Sequence, residues 1–238
     1  MQIPFKFRGR IPATDLLHQM TASPAAERGP APVWVHSPGG FIPQYAPTVF
    51  GTGVRFDPAN DCKGSFTSFK YQVHNNCYNY ALDIATNTVA QPGRLNGLLM
   101  TGDVNGEQVV EAAVKDGLVV AGDAGTTIDD LREKSYDLGD GHFVAVLIAD
   151  ADDSVGFPGD YHWVRCDDLE LSAWSQKDGP DQVTNFDFAG AAISDPFSAN
   201  WSVNSGPFGT TQLGARDFYV TYHFQAWMFV PSQGVNII

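Results

Sequence analysis

The sequence predicts an α+β fold, with helices first and antiparallel strands after them. Three observations carry that prediction. CYNYALDIAT (77–86) places Tyr80, Ala81, Ile84 and Ala85 on one helical face, with Asp83 opposite. A second stretch of helical period covers 106–116. Beyond it the period drops to two, in short apolar runs bounded by turn residues.

Each element has a local reason. Asn75 and Asn76 precede the first helix, where an Asn side chain accepts from the first free amides. Pro92 and Gly93 stop that helix. Asn105 caps the second, Gln108 follows three residues later, and Val109, Val110, Ala113 and Val114 form its apolar face up to Gly117. HFVAVLIA (142–149), YHWVRC (161–166) and LELSAWSQ (169–176) read as strands. DFYVTYHFQAWMFV (217–230) supplies one long strand or two. The segment 185–215 is rich in turn residues and reads as a long surface loop. Residues 1–60, with Pro and Gly recurring, read as an irregular arm around a domain at 61–238; within the arm VWVH (33–36) is a short strand.

Composition bounds the function. The chain has 238 residues, 43% hydrophobic and 17% charged, which suits a globular protein with a sizeable core. Its 14 basic and 27 acidic residues give a net charge of −13. Nucleic-acid binding and a polybasic membrane surface are therefore not expected, because both need cationic patches. No apolar run reaches the length of a membrane span or a signal peptide, so synthesis in the cytoplasm is expected. Cys62, Cys77 and Cys166 contain no CxxC pair, so no structural metal is expected; one disulfide or three thiols fit the count. The Asp129–Asp130 and Asp150–Asp153 clusters lack the spacing of a calcium loop. No strand–GxGxxG–helix fingerprint and no GxSxG elbow occur.

Cys77 is the residue that chemistry singles out. A thiol at a capped helix start gains from the first-turn amides, which favour the thiolate and can hold an oxyanion. Such a nucleophile needs a base, and the base an orienting partner. Pairing 142–149 with 160–167 as a hairpin sets Ala149 near Asp160, and leaves His142 and His162 at opposite ends, about 16 Å apart. His142 then neighbours Asp167, and His162 lies near Ser175, Gln176 and Lys177. Either histidine is a candidate base.

HNNCYNYALDIATNTVAQPGR, then DYHWVRCDD, WSQKDG, VTNFD and ISDP, resemble a bacterial protein group over roughly residues 71–230. The order of helix-borne Cys, strand His and a polar residue on the next strand is similar to the papain-like NlpC-type and CHAP peptidoglycan hydrolases. The resemblance implies a papain-like fold with Cys77 as nucleophile, His162 as base and Gln176 as its orienting residue, where relatives carry His. GHFVAVLIAD (141–150) also resembles the CHAP Gly-His strand, which makes His142 the alternative base.

The implied activity is a cysteine amidase or endopeptidase acting on peptidoglycan stem peptides, with no metal or organic cofactor. A phage lysin or a type VI secretion effector, delivered to a target periplasm or cell wall and paired with an immunity protein, is the matching biology. A deamidase or transglutaminase, and a binding module of the same fold, are the alternatives.

Overall fold

A computed structural model describes residues 33–37, 40–44, 66, 72–100, 102–181, 183–207 and 217–238. The expected arm, 1–60, lies outside these residues apart from a hairpin of β1 (Val33–Ser37) and β2 (Gly40–Gln44). Among the described residues three α-helices follow, α1 (Cys77–Ala81), α2 (Gly106–Lys115) and α3 (Ile128–Leu138). The central element is a six-stranded antiparallel sheet. It is built from β3 (Val119–Gly122), β4 (Gly141–Ala149), β5 (Asp160–Cys166), β6 (Trp174–Lys177), β7 (Val183–Thr184) and β10 (His223–Pro231), in the order β3-β10-β4-β5-β6-β7. A smaller sheet pairs β8 (Ser202–Pro207) with β9 (Asp217–Thr221). Mixed helix and antiparallel sheet is the expected α+β class.

The large sheet separates two cores. On one face Tyr78 and Ala81 of α1, the Leu82 that follows it, and Val109 and Ala113 of α2 meet Val144, Val146, Tyr161, Trp163 and Met228. On the other face Leu131 of α3 and Trp201, Val203 and Val220 around the small sheet meet Phe143, Ala145, Leu147, Val164 and Trp227. Both faces of β4 and β5 are covered, so those strands are buried from end to end after Gly141. The β4–β5 register pairs Ala149 with Asp160, as the hairpin reading requires.

Several elements differ from the sequence expectation. The first helix ends at Ala81 rather than 86, because Asp83 adopts a left-handed conformation (φ 58°) that no α-helix continues through. In α2 the buried residues are Val109, Ala112 and Ala113, whereas Val114 is exposed. Leu171, at φ 53°, breaks the expected 169–176 strand and leaves only Trp174–Lys177. The 217–230 stretch divides at Tyr222 into strands of different sheets. The expected loop 185–215 contains β8. Helix α3 was not expected at all; its Thr127 and Asp130 form a reciprocal capping box.

The Asn-Asn-Cys-Tyr-Asn stretch works as a clamp. Asn76 caps α1 by accepting from the Asn79 amide at 3.1 Å, and the Asn79 side chain accepts from the Asn76 amide at 3.1 Å. Asn79 also accepts from the Ala90 amide at 3.0 Å and donates to the Ile84 carbonyl and the Thr86 hydroxyl. Asn76 donates to the Ala90 carbonyl, and Asn75 binds Asn87 through both of its side-chain atoms. Three neighbouring amides thus hold the whole 84–90 turn against the helix start. Asn79→Ala leaves the Ala90 amide and the Ile84 carbonyl without this partner, so unfolding free energy in urea is expected to fall by about 2–4 kcal/mol.

Candidate functional site

Cys77 is the first residue of α1 and is only 3% exposed. It packs in the same core as Tyr161 and Trp163 of β5, and both Cys77 and Cys166 are thiols rather than disulfide partners. Two polar neighbours are coupled to it electrostatically. Burial raises the Tyr161 phenol well above its ordinary value, and the Cys77 thiol adds to that rise. Burial lowers the Lys177 ammonium to about 7, against the opposing influence of Asp181 and Cys77. Each is held in place: Tyr161 donates to Gln91 at 2.5 Å, and the Lys177 Nζ donates to the Gln72 and Gly179 carbonyls at 2.7 Å.

His162 leaves the opposite face of the sheet. Side chains alternate along β5, so Tyr161 and Trp163 face Cys77 while His162 and Val164 face the other core. The imidazole sits among Phe188, Trp201 and Tyr222, at ring-centroid distances of 5.7–5.8 Å. Gln176 stands opposite Val164 and shares that face. Its Nε2 donates to the Phe186 carbonyl at 2.7 Å, so its Oε1 accepts from His162 Nε2, also at 2.7 Å. The structure therefore brings His162 and Gln176 together, as the strand pairing suggested. It does not bring either to the thiol; the thickness of a sheet lies between.

His142 is on the Cys77 side, but at the far end of α1. Its Nε2 donates to the Ala81 carbonyl at 2.6 Å, closing a helix terminus that Cys77 opens one turn earlier. Nδ1 is buried without a hydrogen-bond partner. Burial lowers the pKa to about 3, despite the Ala81 bond, and Arg165 pushes in the same direction. This is a neutral imidazole serving as a helix-end donor.

Sequence reasoning missed the residues that actually surround the thiol. Strand parity holds part of the signal: Lys177 shares a face with Ser175, and Tyr161 with Trp163. No three His, Cys, Asp or Glu side chains converge as a metal site among the described residues. No described helix is long and apolar enough to cross a membrane.

No family model and no solved structure matches the chain. It is 35% identical over 166 residues to insoluble matrix shell protein 1 of Ruditapes philippinarum, an alignment spanning 68% of this chain and 92% of the relative. The chain belongs to the family of that shell matrix protein. This kinship corrects the expectation of a peptidoglycan-cleaving cysteine hydrolase, and with it the lysin and secretion-effector roles.

His142 gives a pH test of the site. Its folded pKa of about 3 lies below the ordinary 6.5, so between those values the unfolded chain binds the extra proton and stability falls with falling pH. His142→Gln keeps an N–H donor for Ala81 and removes that proton. The difference in unfolding free energy, variant minus parent, is expected to rise as pH falls from 6 to 4, by up to about 1.4 kcal/mol per pH unit. Paired urea titrations at the two pH values measure it.

Proposed function

We propose that this protein is a structural component of an insoluble extracellular matrix, acting through its acidic surface rather than through a catalytic centre. The observation that carries this reading is the 35% identity across 92% of insoluble matrix shell protein 1: nearly the whole of that matrix protein aligns with this chain. The charge supports it. A net charge of −13 displayed on exposed residues such as Asp103, Glu107, Asp129 and Glu133 suits non-covalent assembly with cationic partners. The interior supports it too. The polar groups that looked chemical in the sequence, His142, His162 and Gln176, are buried and bonded to the protein's own framework. A cysteine-bearing helix preceding an antiparallel sheet supports a papain-like framework put to this structural use.

The test is where the protein resides and what retains it. Source material washed sequentially with salt, chelator and detergent is expected to keep the protein in the insoluble residue, detected by antibody. Purified Cys77→Ala protein is expected to join that residue as the parent does. Complete recovery in the first salt wash overturns the proposal, and so does failure of a folded Cys77→Ala variant to be retained.

A further inference from the structure

We propose that the β3 edge of the large sheet is a docking site for an extended, lysine- or arginine-rich segment of a partner protein, added as a further strand. The proposal deepens the matrix reading by naming a partner class, and it rests on that reading for its biological setting only.

Strand β3 is the outermost strand, paired with β10 on one side; among the described residues no strand pairs with its other side. Val119 and Val120 are 40% and 52% exposed there, large apolar side chains on an open edge. Open edges of this kind accept strands from other chains unless something blunts them. Val120 and Gly122 of the strand line a depression of about 490 Å3, and a second of about 480 Å3 adjoins it beyond the strand's end, the two sharing Asp123, Thr126 and Lys134. Glu107 and Glu111, one turn apart on α2, wall one side, and Asp123, Asp130, Glu133 and Asp137 wall the other.

The charge selects the occupant. Two copies of this chain meeting edge to edge would set six carboxylates against six, which disfavours self-pairing. No three ligating side chains converge at one point among the described residues, so the carboxylates suit charges spaced along a chain rather than a single ion. Lys134 shows what a cation does here. Its ammonium reaches back to the Ala121 carbonyl of the edge strand at 2.6 Å, an internal placeholder for an incoming basic residue. An alternating basic and small apolar sequence in strand form turns its charges to one face, toward Glu107 and Glu111, and its apolar side chains to the other.

The probe is a twelve-residue peptide of alternating lysine and valine, titrated into the full chain by fluorescence anisotropy, with hydrogen exchange read at β3. Saturable binding with new protection of β3 amides is expected. Glu107→Gln/Glu111→Gln/Asp123→Asn, all surface changes, is expected to weaken binding at least tenfold. Lys134→Ala, which frees the Ala121 carbonyl, is expected to tighten it. Three outcomes overturn the proposal: no binding; equal affinity for a peptide with proline in place of valine, which means charge attraction without strand addition; or dimerisation of the chain alone through β3. Because the titration uses purified protein, its failure leaves the extraction result standing, and the reverse also holds.

Discussion

The buried guanidinium of Arg165 is the constraint around which the helical face of this protein is arranged. A fully buried cation is costly unless nearly every donor is matched. Arg165 donates through Nε to Asp167 at 3.1 Å and through Nη1 to the Tyr80 carbonyl at 3.3 Å, with Asp83 at 3.5 Å. Nη2 donates to the Tyr80 hydroxyl at 2.6 Å, and the guanidinium carbon lies 3.9 Å from the centre of the Tyr80 ring. Burial works against its charge, yet Tyr80, Asp167 and Asp83 together raise its pKa. The Tyr80 hydroxyl is also bonded to Ser175 at 2.5 Å, so one cation ties α1 to β5 and to β6. With that helix fixed, Cys77 is fixed as well, in the core it shares with Tyr161 and Trp163.

The Asn-rich stretch before and within α1 shows how a sequence pattern that suits a reactive thiol also carries an architectural role. A cysteine flanked by asparagines at a helix start matches the requirements of an activated thiol. The same asparagines meet a different need: α1 is five residues long, too short to stand on its own hydrogen bonds, and its following turn contains left-handed Asp83, Asn87 and Val89. Asn75, Asn76 and Asn79 supply the partners that this turn's backbone lacks. The pattern is specific because the geometry it satisfies is unusual.

The sheet was readable from the sequence to the extent that period two and one hairpin register define it. Ala149 opposite Asp160 followed from the runs themselves, and so did the contact of His162 with Gln176. That same register contains the parity that separates the histidines: Leu147 pairs with His162, an odd position, whereas His142 shares the face of Val144 and Val146. The two rings therefore lie on opposite faces, and only one of them shares a face with α1. Helix α3 escaped because its apolar face is thin, with Leu131 its one buried residue, so the signal sat in Thr127 and Asp130 rather than in hydrophobic period. The early end of α1 was invisible for another reason. Asp83 and Leu171 adopt positive φ without being glycine, a conformation that the hydrophobic period around them does not announce.

Strands β9 and β10 belong to different sheets, yet only Tyr222 separates them. Its amide donates to the Trp201 carbonyl and its hydroxyl to Asp160 at 2.7 Å, so that single residue is bolted to both layers. A pull on the small sheet is consequently delivered lengthwise down β10, which is gripped by β3 and β4 on either flank. Ladder hydrogen bonds run across the strands, so such a load shears a whole row at once instead of unzipping one rung after another.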